Sequence, residues 1–225
     1  MSAVVELQQV VKRFSRRDGS DATVLDRIDL ECDAGEALLV EGCSGSGKST
    51  LLNLIAGLYT ADEGTVRVAG RALERLSETA RDRLRAARIG YVFQTFNLLS
   101  PLSALENLHV PAALAGRQRR GLQREARKVL VELGLEDHLD KRPYELSVGQ
   151  RQRVAIGRAL LHRPEVLLAD EPTANLDGEA AAQVLSAMKR LCADGTALII
   201  ATHDRLVRSS VAGPILNVET GKVRS

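Results

Sequence analysis

Gly42-Cys43-Ser44-Gly45-Ser46-Gly47-Lys48-Ser49 is the stretch from which the rest of the chain is read. It fits G-x-x-x-x-G-K-[ST] without departure. The apolar run Ala37–Val40 before it has strand character, and Lys48–Gly57 after it reads as a helix. In that context the glycines let the backbone wrap closely around a phosphate, where a Cβ would collide. Loop amides and the helix N-terminus add partial positive charge. Lys48 supplies a full charge for the β/γ oxygens, and Ser49 a hydroxyl for Mg²⁺. The motif alone specifies a nucleoside triphosphate and no particular chemistry.

Further along, Val166-Leu167-Leu168-Ala169-Asp170-Glu171 is a continuous apolar strand ending in two carboxylates. Asp170, at the strand tip, is suited to holding Mg²⁺. Glu171, one residue on, is suited to polarising an attacking water. Val4–Val11, Ala22–Glu31, Thr65–Val68, Ile89–Phe93 and Ala197–Ala201 also read as strands. Between Asn97 and about His162 the signals turn mainly helical. There Leu122, Ala126, Val129, Leu130 and Leu133 form an apolar stripe, closed by Gly134 as a C-cap. A second stripe, Ala181–Leu191, follows Asp177, a residue type that caps helices. Strand–helix alternation on both sides of the helical stretch predicts a largely parallel sheet with an inserted helical subdomain.

Composition narrows the classes. With 225 residues, the chain has room for one α/β domain with an insertion. A formal net charge of +2 lends no support to a nucleic-acid partner. The arginine clusters Arg81–Arg88 and Arg117–Arg127 read as solvated helix faces. Three scattered cysteines, Cys32, Cys43 and Cys192, suggest neither a disulfide framework nor a metal site, in keeping with a reducing cytosol. No apolar run approaches the ~18–20 residues that span a bilayer, and Met1–Glu6 lacks the features of a signal peptide.

Leu146-Ser147-Val148-Gly149-Gln150, with the helical Arg151–Leu160 behind it, resembles the signature motif of ABC ATPases. The other motifs of that family follow in order. Gln94 after Ile89–Phe93 resembles the Q-loop glutamine, Glu171–Asp177 the end of the Walker B strand and the D-loop, and Thr202-His203-Asp204 the switch histidine. Lys12-Arg13-Phe14 stands where the family places an aromatic under the adenine. The resemblance implies an α/β fold: a RecA-like P-loop NTPase core of about residues 1–94 and 163–225, with a small antiparallel β subdomain and an α-helical subdomain of about 95–162. It implies ATP contacts at Phe14, residues 42–50 (Thr50 included) and Gln94, and Mg²⁺ at Ser49, Gln94 and Asp170. Catalysis is implied for Lys48, Glu171 and His203. Ser147, Val148, Gly149 and Gln150 are implied to reach the γ-phosphate of a second, head-to-tail copy. Asp177 either crosses that interface or caps its helix. Val148 stands where a glycine is usual, so its side chain must point away from phosphate. Phe14 stands for the more usual tyrosine, and Gly157 interrupts a helix, a place for close packing.

Tyr91–Leu108 resembles one branch in particular, the ATPases of lipoprotein release, macrolide efflux and FtsE-type cell-division systems. That branch implies an ATP-hydrolysing subunit working with separate integral membrane permease subunits, cytoplasmic and peripheral on the inner face of the membrane. The alternatives are the ATPase of a solute importer and a soluble, non-transport ABC ATPase. Phe96, Leu98, Leu99 and Leu102 line either a groove for the permease or the core of the helical subdomain. His109, His138 and His162 read as structural.

Overall fold

The computed structural model describes residues 3–15, 19–114, 121–220 and 222–224. The hairpin β1 (Val5–Ser15) and β2 (Asp21–Cys32) is antiparallel. It leads into β3 (Ala37–Glu41), the phosphate loop and α1 (Lys48–Ile55). Then come β4 (Glu63–Val68), β5 (Arg71–Ala72), α2 (Glu78–Arg88) and β6 (Ile89–Val92). Among the described residues three α-helices lie between β6 and the next strand: α3 (Ala104–Leu114), α4 (Leu122–Glu132) and α5 (Val148–Leu160). The chain continues through β7 (Val166–Asp170), α6 (Gly178–Ala193), β8 (Ala197–Ala201), α7 (Arg205–Ser210), β9 (Ile215–Asn217) and β10 (Lys222–Arg224).

Two sheets result. The smaller is antiparallel, in order β2-β1-β4-β5; the larger runs β10-β9-β3-β8-β7-β6. In the larger sheet β9, β3, β8, β7 and β6 are parallel and only β10 is antiparallel to its neighbour. All five residues of β7 and of β8 are buried. Such unbroken apolar runs belong to parallel strands covered on both faces. Alternation then divides the core. Leu39, Leu167, Ala169, Leu198 and Ile200 face the helices α3 to α6. Leu38, Val40, Val166, Leu168 and Ile199 face α1 and the antiparallel sheet.

The helical stripe at 122–133 packs as its spacing predicts: Leu122, Ala126, Leu130 and Leu133 are all buried. Gly134 follows at φ 65, the left-handed backbone of a helix stop. The arginine face of α2 contains no buried residue. The second arginine cluster lies partly outside the described residues. Residues 97–103 depart from the helical expectation. They form turns around Asn107, whose fully buried side chain accepts from Leu99 N (2.8 Å) and donates to Leu99 O, Leu102 O and Ser103 O. One buried amide, sharing its two N–H bonds among neighbouring carbonyls, thereby partners main-chain groups that a helix would have satisfied internally. At Gly157 a Cβ would lie 3.2–3.4 Å from Leu133, Val129 and Leu108, so α5 does approach α3 and α4 closely there.

Candidate functional site

The parallel register sets the C-terminal ends of β3, β7 and β8 side by side. The phosphate loop leaves β3, Asp170 and Glu171 end β7, and Thr202 and His203 follow β8. Crevices at such strand ends are where open α/β sheets take ligands.

In the loop, Gly47 precedes α1 at φ 103, and a Cβ there would lie 2.9 Å from Val24 and 3.1 Å from Leu25. Both constraints require glycine. The same contact seats the β1–β2 hairpin against the loop, which brings in Phe14 near the end of β1. Phe14 is 38% exposed, with its ring edge-on to Tyr59 at 5.6 Å and Lys12 Nζ 5.3 Å from its centroid. The first turn of α1 contains no acidic residue to compete for its free amides. Lys48 Nζ donates to Gly42 O at 2.7 Å and Cys43 O at 3.0 Å, so the ammonium lies across the loop. Ser46 Oγ is buried without a hydrogen-bond partner among the described residues. Thr50 continues α1.

Ser49 Oγ donates to Asp170 Oδ2 at 2.6 Å, across 121 residues of sequence. Burial pushes the Asp170 carboxyl up; neighbouring Glu171 adds to this, while Ser49 and Lys48 oppose it. Two hard oxygen donors meet here, one of them a carboxylate that gains from a nearby cation, and that is the chemistry Mg²⁺ favours.

Glu171 is 8% exposed and sits at φ 48, a left-handed conformation that turns the chain sharply out of β7. Its amide still joins the sheet by donating to Ala201 O. The carboxylate lies 2.7 Å from His203 Nδ1 through one oxygen, and through the other accepts from Thr202 Oγ1 at 3.0 Å. The His203 side chain is otherwise 79% exposed. Asp204 locks this turn. It accepts from Thr173 Oγ1 at 2.6 Å, caps α7 through Leu206 N, and its own amide donates to Thr202 Oγ1. Thr173 and Asp204 lie 31 residues apart, and no spacing rule connects them.

The signature residues stand elsewhere. Ser147 caps α5, with its hydroxyl accepting from Gln150 N and its amide donating to Gln150 Oε1. This capping box meets two donors at the helix start. Gln150 also lies 2.8 Å from His138. Gly149 abuts Asn175, and Gln152 donates to Pro172 O, so α5 rests against the segment between Glu171 and Asp177. Val148 is 44% exposed, its side chain in solvent. Asp177 caps α6 by accepting from Ala180 N. Gln94 is exposed in the turn after β6. Next to that turn, Arg158 donates from α5 to Phe96 O (2.6 Å) and to Asn97 O. Both carbonyls belong to residues with positive φ. A basic residue inside the helix was the only sequence signal for this tie. Leu98 packs on the core, whereas Leu99, 45% exposed, lines a groove of about 610 Å³ with Leu58, Phe93, Pro111 and Leu114.

A phosphate loop on a parallel sheet, with paired carboxylates two strands away, defines a P-loop nucleotide-binding protein. Residues 25–174 match the family described as ABC transporter, and the chain belongs to that family. It is 46% identical over 193 residues to the lipoprotein-releasing system ATP-binding protein LolD of Chromohalobacter salexigens, covering 85% of this chain and 81% of that protein. It is 41% identical over 223 residues to the macrolide export ATP-binding/permease protein MacB of Salmonella typhi, covering 99% of this chain. The chain spans 34% of that longer protein. Among solved structures, a dimeric ATP-binding cassette in a post-hydrolysis state bound to ADP and Pi superposes with a TM-score of 0.91. It is 34% identical and covers 98% of this chain and 97% of that one. No helix among the described residues is long and apolar enough to cross a membrane.

Proposed function

We propose that this chain binds and hydrolyses ATP as the motor subunit of a transporter of the lipoprotein-release or macrolide-efflux kind, acting on separate membrane permease subunits. The observation that carries the reading is the convergence of Lys48, Ser49, Asp170, Glu171 and His203 at adjoining strand ends. The loop amides of residues 42–50 and Lys48 hold phosphates, and Phe14 offers its exposed face to the adenine. Ser49 and Asp170 hold Mg²⁺, joined by Gln94, and the bound ion would neutralise phosphate charge. Glu171 takes a proton from the attacking water, held for that task by Thr202 and His203.

Ser147, Val148, Gly149 and Gln150 serve the nucleotide of a second copy, arranged head to tail. Val148 among them is exposed, while Gly149 lies against Asn175 and Gln150 against His138, and this supports a face turned toward a partner. Residues 1–94 and 163–225 act as the catalytic core, and 95–162 as the subdomain that presents the signature. The groove beside Leu99 and Leu114 takes the permease, placing the chain on the cytoplasmic face of the membrane.

Glu171→Gln tests the catalytic assignment. The variant should bind ATP, turn it over poorly and elute as a dimer in size-exclusion chromatography with ATP. A monomer with undiminished turnover contradicts it. Lys48→Ala should weaken nucleotide binding in a direct titration by roughly tenfold or more.

A further inference from the structure

Several main-chain groups where β3 enters the phosphate loop are held by partners from elsewhere in the chain. Gly42 O and Cys43 O accept from Lys48 Nζ, and Cys43 O also accepts from Ser46 N. Cys43 N–H donates to Glu219 Oε1 at 2.7 Å, across 176 residues of sequence. Glu219 comes from the turn after β9. Its place there follows from the sheet: β9 runs parallel to β3 with Asn217 opposite Glu41, and Val218 N donates to Glu41 O. Asn217 Oδ1 then accepts from Glu219 N and Thr220 N, which folds the turn back toward the loop.

We propose that Glu219 is a positioning residue of the phosphate loop, holding the Cys43 peptide so that the amides beyond it face the nucleotide. This rests on the reading of residues 42–50 as the ATP cradle. An anion this close to phosphates looks unfavourable, but the geometry favours positioning. The carboxylate is committed to the first variable residue of the loop, at its entrance. A charge-assisted N–H···O⁻ bond is shorter and stronger than a neutral one. Two shifts agree with the contact. The bonds from Cys43, and then the Lys48 charge, hold the Glu219 carboxyl below the usual carboxylate range. The Cys43 thiol is pushed up, chiefly by its own hydrogen bond to Glu219. Cys43 is exposed, so that thiol also reports on the contact.

The test uses the full chain and three variants: E219A, E219Q and K48A. E219A should weaken MgATP binding about fivefold, with kcat changed by less than about twofold, because the cradle is misaligned while the catalytic carboxylate is untouched. E219Q retains an amide oxygen as acceptor and should recover most of that loss. Both variants lose the Glu219 charge that adds to its hydrogen bond in holding the Cys43 thiol protonated. Its alkylation by iodoacetamide at mildly alkaline pH, followed by peptide mapping, should therefore be faster in both. E219A binding as tightly as the parent or more tightly, a glutamine variant no better than alanine, or unchanged Cys43 alkylation overturns the proposal. If K48A also binds ATP as the parent does, the cradle reading falls and this proposal with it. If K48A fails to bind and E219A is normal, only the role of Glu219 is lost.

Discussion

At Glu171 a left-handed backbone, a buried carboxylate and an exposed histidine meet within three residues of strand ends. Such φ values cost on the order of 1–3 kcal/mol and persist where surrounding structure enforces them. Here the Ala201 carbonyl and the Thr202 hydroxyl do so. A second local device sits beside the proposed adenine face. Asp62 accepts from Arg13 N at 2.6 Å and Lys12 Nζ at 3.1 Å, steadying the backbone that carries Phe14. The Arg13 amide, and then Lys12, hold its carboxyl below the usual range. A carboxyl depressed on folding stabilises the native state above its ordinary range, and the benefit is lost as pH falls through the depressed value. Asp62→Asn should therefore lower stability at neutral pH by less than about 1 kcal/mol, because the pair is partly solvated, and lower the melting temperature accordingly. The gap to the parent should close in strong acid. Thermal melts of both proteins across pH check this.

Among the elements, α5 ties the site together. Its N-terminus carries the Ser147 cap, the proposed signature, and its flank holds Pro172 through Gln152. Near its C-terminal end Arg158 grips the turn after Gln94. Burial lowers the proton affinity of that guanidinium, although its bonds to two carbonyls give the charge partners. Close packing makes this arrangement stiff, and two glycines test it in opposite senses. A Cβ on Gly90 in β6 would lie 2.6 Å from Ala159 O and 2.9 Å from Pro164. Backbone cannot yield there, so Gly90→Ala should cost about 2 kcal/mol or more. At Gly157 the neighbours are side-chain termini at 3.2–3.4 Å, and alanine's better helix propensity, about 1 kcal/mol, offsets the squeeze. Gly157→Ala should be nearly neutral. Denaturant midpoints of the two variants distinguish these outcomes; equal losses would contradict the packing account.

For the whole molecule, the proposed assembly makes a prediction that no single chain can satisfy. Lys48→Ala removes the cradle's charge and Ser147→Arg the signature's hydroxyl, so each variant alone has two defective sites per dimer. The arginine also forfeits the cap of α5, worth about 1 kcal/mol, which a folded domain tolerates. In a mixed dimer, the Lys48 of one chain meets the Ser147 of the other and one site is whole. An equal mixture should recover roughly a quarter of the parental sites, since about half the dimers are mixed. ATPase assays of the mixture against each variant decide the matter, and activity no greater than the average of the two speaks against completion in trans.

The phosphate loop, the acidic strand end and the stripes of α4 and α6 were legible because each is a contiguous pattern. Their chemistry depends on residue order and on a local period. Short or unpatterned pieces were not: β9 and β10 have three residues each, and Asn107 gives no periodic signal before its four partners are known. Residue order alone names the chemical groups this protein possesses. Folding of the sheet is what brings Ser49 to Asp170, Glu171 to His203, and Glu219 to the Cys43 amide. Those meetings follow from the strand order β9-β3-β8-β7 and its parallel register. Such an order joins residues by pairing across the sheet, and separation along the chain does not encode it.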